Sequence, residues 1–152
     1  MYSTEQHGIS YKTMLDKCKT NAPLIIAIRD SNDAVFGAFL NEPLVRKPTF
    51  YGNGTCFLWK TDFDADKKNY SVKVFNHTKD DTYFILCHPD FLAVGGGEGV
   101  FGLWISSDLT NGHSQPCSTF DNDTLSADSS SPDSLKSPAD FDIRCLEVWS
   151  FE

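Results

Sequence analysis

At 152 residues, 40% hydrophobic and 13% aromatic with twelve Phe, the chain has the size and composition of one domain around one core, which excludes a mainly disordered protein. No apolar run approaches the ~20 residues a spanning helix needs, and residues 1–10 hold neither a basic leader nor an apolar signal core, so secretion is not expected. The net charge of −8 is uneven: Asp121 to Asp142 holds six Asp and one Lys, a net of −5 over a body near −3, which repels nucleic acid and anionic membranes.

In chain order, Ser10 is placed to cap a helix running to about Lys19. Tyr11, Leu15 and Cys18 form one apolar stripe, widened by Met14, and Asn21-Ala22-Pro23 ends it. Leu24 to Ile28 has the pattern of a strand buried on both faces. The polar Ser31-Asn32-Asp33-Ala34 turn leads into Val35 to Leu40, predicting a β-hairpin in which Gly37 marks a close backbone approach or a bulge. After a connector with two prolines (Glu42 to Pro48), Cys56 to Lys60 reads as a strand and Asp62 to Asn69 as a charged loop. Tyr70, Val72 and Val74, with Phe75 less regularly, define the apolar side of the next strand, and Ser71 and Lys73 its polar side.

Tyr83 to Cys87, Phe91 to Val94 and Val100 to Ile105 are further strands, the last two flanking a glycine cluster. Ile143 to Ser150 carries apolar side chains on both of its faces, as a central strand does. About eight short strands and one clear helix predict a β-sandwich wrapped by a few helical turns. Residues 121–140, acidic and rich in Ser and Pro, read as a flexible loop.

Few motifs survive a test of context. Gly97-Glu98-Gly99-Val100-Phe101-Gly102 matches G-x-G-x-x-G, but a dinucleotide cradle needs a helix after the glycines and here a strand is predicted. The glycines are read instead as a tight turn with positive φ. Asp62, Asp64 and Asp66 imitate the start of a calcium loop, yet Lys67 and Lys73 stand where Gly and Glu are required. Five cysteines (Cys18, Cys56, Cys87, Cys117, Cys145) without paired spacing suit a reduced compartment better than a disulfide framework or a zinc site. Cys117 is the candidate oxidisable surface thiol, and His113, four residues away, is the base that a cysteine nucleophile would require. Four N-x-[ST] sequons, at Asn53, Asn69, Asn76 and Asn122, are read as coincidental.

Six blocks in order carry a family resemblance. They are Glu5 to Ser10, Asp30 to Phe39, Phe50 to Leu58, Leu92 to Trp104 with its glycine run, Ser114 to Asn122, and Phe141 to Trp149 with its L-E-V-W ending. Together the chain resembles the TLDc domain, and within it the oxidation-resistance branch. The resemblance implies a β-rich α+β fold, a sandwich of two antiparallel sheets flanked by a few short helices, as a single domain over 1–152. It also implies a non-enzymatic role in protection from oxidative damage, and the motif readings above add no cofactor or metal to it. The implied partner is the peripheral stalk of the vacuolar proton-pumping ATPase, whose assembly such proteins regulate.

On that reading the chain acts in the cytoplasm or on the cytosolic face of the vacuole or lysosome membrane, with the mitochondrion as the alternative compartment. Partner contacts are expected from loops on the stiff scaffold: Gly95, Gly96, Gly97 and Glu98 of the glycine turn, and Asp108 and His113 of the loop that follows. The alternative is a cysteine-based redox enzyme or scavenger centred on Cys117. Two departures from the family stand out. The leading segment is reduced to Tyr2-Ser3, which would leave an edge element missing. Ala127 to Ala139 reads as an insertion, with Ser131-Pro132 and Ser137-Pro138 as phosphorylation candidates or parts of a plain spacer.

Overall fold

Each of the two opening helices starts at a serine that accepts a hydrogen bond from its own first turn. In the computed structural model, which describes residues 2–64, 66, 68–97, 99–126 and 140–150, Ser3 caps α1 (Thr4–His7) and Ser10 caps α2 (Tyr11–Cys18). The Ser10 Oγ accepts from the Thr13 N–H at 3.2 Å, supplying one of the donors a helix start leaves unsatisfied with its partner. All four stripe residues of α2 (Tyr11, Met14, Leu15 and Cys18) are buried.

Ten strands form among the described residues, the eight expected from the sequence and two short ones, Tyr2–Ser3 and Asn111–His113, that were not. They are β1 (Tyr2–Ser3), β2 (Leu24–Asp30), β3 (Val35–Leu40), β4 (Phe57–Asp64), β5 (Asn69–Asn76), β6 (Ile85–His88), β7 (Phe91–Val94), β8 (Leu103–Ser106), β9 (Asn111–His113) and β10 (Asp140–Ser150). Among the described residues every pairing is antiparallel, in the order β5-β4-β3-β2-β10-β9-β8-β7-β6, with β1 also on β10. The fold is the expected β-rich sandwich. Its hinge is β10, eleven residues long, whose first part pairs with β9 and whose remainder pairs with β2 and β1. A bulge between Ile143 and Cys145 re-aims the strand between the two sheets. The inner faces meet in one cluster: Leu24, Ile26, Ile28, Phe36, Leu58, Leu146 and Val148 from one sheet, Ile85, Leu92, Val94, Leu103 and Ile105 from the other. Each such side chain contributes about 1.5–3 kcal/mol through burial.

Several expectations are corrected in detail. β2 is fully buried on one face only; Ile25 and Ala27, on the other, are half-buried. The charged loop is shorter than predicted, because Asp62 and Asp64 belong to β4, opposite Ser71 and Asn69. Two of the three aspartates of the calcium-like motif therefore lie on a paired strand. The Tyr2-Ser3 remnant is no missing edge: it forms β1 against Val148 and Glu147. β9 has no sequence signal of its own. It forms because β8 and β10 flank it, and Gly112 fits there because any Cβ would come 2.4 Å from the Phe141 ring and 2.5 Å from the Trp104 carbonyl oxygen. Gly37, as predicted, marks a close approach, since a Cβ there would lie 1.7 Å from the Ile26 carbonyl oxygen. Residues 127–139, with both Ser-Pro pairs and most of the acidic loop, lie outside the described residues.

Candidate functional site

The glycine run links β7 to β8 as a bend closed by its own backbone. Gly102 N–H donates to Gly95 O at 3.3 Å and Val100 N–H to Gly97 O at 3.1 Å, while Val94 pairs with Leu103. Gly95, Gly97 and Gly99 adopt φ of 80°, 113° and 80°, the left-handed region that glycine enters at no steric cost. Among the described residues the chain passes from this bend into β8 without a helix.

What the bend rests on is the segment Cys117 to Asn122. Gly96 donates to Thr119 Oγ1 at 3.1 Å, and the Gly96 carbonyl lies 3.1 Å from Thr119 Oγ1 and 3.3 Å from Ser118 Oγ. Asp81 accepts from the Ser118 and Thr119 hydroxyls. Burial by itself pushes the pKa of this carboxyl up, but the two hydroxyls, the Tyr83 N–H and nearby His77 outweigh it, so the pKa sits below the ordinary carboxylate value. Thr78 completes the clamp, donating from its hydroxyl to Ser118 O at 2.7 Å and from its N–H to Thr119 O at 3.0 Å. Thr119 is fully buried.

The predicted contact residues are thus divided. Gly95, Gly96 and Gly97 are committed to internal packing, with only Gly97 lining a shallow cavity of about 270 Å³ beside Phe50, Tyr83 and Phe101. Glu98 lies outside the described residues. Asp108 is exposed at the other end of β8, roughly 13 Å away at 3.3 Å per residue. It shapes its own turn, accepting from the Ser106 hydroxyl and from the Thr110 N–H (3.0 Å) and hydroxyl (2.8 Å), which together lower its pKa. His113 Nδ1 is 2.6 Å from Asp140 Oδ1 and is half-buried.

Cys117 is not the surface thiol expected. It is buried, and both its N–H and its Sγ lie on Asn122 Oδ1, at 3.1 and 3.2 Å. Burial raises its pKa, which opposes the thiolate that nucleophilic or peroxide chemistry requires. Among the described residues no hydrogen bond joins His113 to Cys117, whose thiol is taken up by Asn122. Burial likewise lifts Cys18 to about 11 and raises Cys56 and Cys87. Asn122, buried with its amide donating to Gln115 O and Asp123 O, cannot serve as a glycan acceptor.

The surface that stands out was misread from the sequence. Tyr70, Val72 and Val74, expected on the apolar side of their strand, are exposed at 75%, 62% and 44%, whereas Phe75 turns inward. The out-of-phase Phe75 was the available signal, because alternation fixes two faces without saying which is buried. β5 ends the strand path, and among the described residues no strand covers its outer side. The other end, β6, is protected. Tyr51 and Ile85 exchange N–H···O bonds of 2.8 and 2.9 Å, and Lys47 N–H donates to Cys87 O at 3.1 Å. An eight-residue edge that no described strand covers, bearing apolar side chains and no proline, is a template for another polypeptide.

A family model for the TLDc domain matches residues 1–152. Nuclear receptor coactivator 7 of Gallus gallus is 38% identical over 99% of this chain, which covers 15% of that protein. Oxidation resistance protein 1 of Yarrowia lipolytica is 35% identical over 97% of the chain, covering 61% of that protein, and the Xenopus tropicalis protein of the same name is 38% identical over the whole chain, covering 16%. The chain therefore spans less than two thirds of the length of these relatives, and it belongs to the TLDc domain family.

Proposed function

We propose that this TLDc-family chain is a non-enzymatic protein-interaction module that contributes to resistance against oxidative stress, and that its partner is the peripheral stalk of the vacuolar proton-pumping ATPase. The observation that carries the reading is the exposed edge of β5. A stiff sandwich presents Val72 and Val74 beside an open strand edge, and covering such side chains fully contributes about 1.5–3 kcal/mol each. Main-chain pairing to that edge supplies further affinity and sets the register. The oxidative-stress role is supported by the names of the oxidation resistance relatives, and the choice of partner by the family resemblance. A partner that is bound better in one assembly state shifts the pump toward that state. The buried, hydrogen-bonded Cys117 speaks against the scavenger alternative. The setting that fits is the cytosolic face of the vacuole or lysosome membrane.

The test is a pull-down of the detergent-solubilised pump with the chain and with its Val72→Glu variant, alongside ATP hydrolysis and retention of the catalytic sector on membranes. Binding that alters assembly and is lost in the variant is the expected result. A pump whose assembly and hydrolysis ignore the wild-type chain ends the partner assignment.

A further inference from the structure

Away from the glycine bend and the β5 edge, a cavity of about 420 Å³ is lined by Arg46, Lys47, Pro48, His88 and Pro89. It lies in a chain of net charge −8, yet its titratable lining residues are two cations and an imidazole. The other basic groups with acidic neighbours are neutralised in pairs: Lys60 and Lys73 with Asp123, Arg144 with Asp33. Arg46 and Lys47 make no ion pair among the described residues.

Both walls are held from behind. The connector carrying Arg46 and Lys47 is fastened to β6 by Lys47 N–H···O of Cys87, and to Tyr51 by two bonds of its hydroxyl, to Pro43 O at 2.8 Å and from Val45 N–H at 3.2 Å. The Lys47 ammonium stands 4.7 Å above the Tyr51 ring, a contact that places the cation without pairing it to an acid. On the opposite wall, the Tyr11 hydroxyl lies 2.6 Å from His88 O and 2.8 Å from Phe91 O, and the His88 ring stacks on Phe91 at 4.6 Å. His88 Nδ1 accepts from the Asp90 N–H at 3.0 Å, so the neutral ring carries its proton on Nε2 as a donor.

We propose that this cavity binds the carboxylate of an acidic side chain in a partner peptide, with Arg46 and Lys47 holding the charge and Pro48 and Pro89 receiving an apolar neighbour of that residue. A guanidinium fork matches a carboxylate in geometry, and the Lys47 ammonium, already placed over Tyr51, leaves less to reorganise on binding. Asp90, 3.9 Å from His88 Nδ1, and the overall acidity of the chain disfavour a dianionic phosphate or a nucleic-acid strand in the same place. The proposal rests on the reading of the chain as an interaction module and adds a second contact, on the protected side of the strand path.

The experiment is an amide-shift titration of the isotope-labelled chain with a blocked pentapeptide carrying one Glu between two Leu residues, its Gln counterpart, its phosphoserine counterpart and inorganic phosphate. The Glu peptide is expected to move the amides of Lys47, Tyr51 and His88, to weaken as salt rises, and to bind about tenfold better than the Gln peptide. The Arg46→Glu, Lys47→Glu double variant should lose that preference and keep the rest of its spectrum, whereas Lys79→Glu should keep it. Equal binding of Glu and Gln peptides, shifts centred elsewhere, or tighter binding of phosphoserine or phosphate overturns the proposal. If the wild-type chain captures no pump in the pull-down, the partner assignment fails while this titration still decides the pocket.

Discussion

Replacing Gly95 by alanine sets the packing of the glycine bend against its conformational strain. A Cβ at Gly95 would lie 2.8 Å from Cys117 Sγ and 2.8 Å from the Phe120 ring, both buried, at φ +80°. Cys117 has little freedom to move aside, since Asn122 holds it at both N–H and thiol. Gly99 is the internal control, with the same φ of +80° and nothing within 4 Å of its Cβ position. Left-handed strain on alanine costs about 1–2 kcal/mol, offset by about 0.4–1 kcal/mol from the lower entropy of the unfolded chain. Gly99→Ala should therefore destabilise by about 1 kcal/mol. Gly95→Ala adds an overpacking cost of about 1–3 kcal/mol, for a total near 2–4 kcal/mol. In a chain of this size about 1 kcal/mol lowers Tm by roughly 2–4 °C, so the two variants separate clearly in urea and thermal unfolding. Equal losses in both variants would show that the bend is not packed on Cys117 and Phe120. A neutral Gly95→Ala would refute the internal packing role of the glycine run.

Asp81→Ala should cost about 1–3 kcal/mol at pH 7 by removing the carboxylate that the Ser118 and Thr119 hydroxyls donate to, leaving them to share the Gly96 carbonyl. Because the folded pKa of Asp81 is depressed, its contribution is present above the unfolded value near 3.9 and is lost as pH falls through the folded value; urea midpoints of the two proteins should converge below about pH 4, and a constant gap would contradict the assignment. Thiol labelling of the folded chain at pH 8 should reach half-buried Cys145 first, while Cys117→Ser leaves the fast phase unchanged. Loss of the fast phase in the Cys117 variant would restore that residue as a reactive thiol. Val72→Glu should leave thermal stability within about 0.5 kcal/mol, as a change at an exposed position does, yet weaken partner capture at least about tenfold; capture at wild-type strength would remove β5 from the interface.

Legibility differed by element for reasons that particular residues make plain. The stripe of α2 was readable because four apolar side chains at helical spacing admit one buried face, and its start was readable from Ser10. The β2–β3 hairpin was readable because the Ser31 to Ala34 turn sits between two apolar runs, and Asp30 closes it by accepting the Asn32 and Ala34 N–H groups at 2.9 Å each. β9 was not, since Asn111-Gly112-His113 has no strand preference and exists only between two stronger neighbours. The glycine run was legible as a bend, but not as an internal packing element, because its partners Ser118 and Thr119 lie far along the chain from it.

Most of the strand pattern, the Ser10 helix cap, the family and the need for positive φ at the glycines were all written in the order of the residues, because periodicity and backbone sterics are local properties. Three features waited on the folded chain: which side of β5 faces water, the sealing of Cys117 beneath Gly95, and the meeting of Arg46 and Lys47 with His88 across a cavity. Each of those depends on which strand ends up at an edge and which loop crosses it, and long-range pairing, not the local chain, sets that.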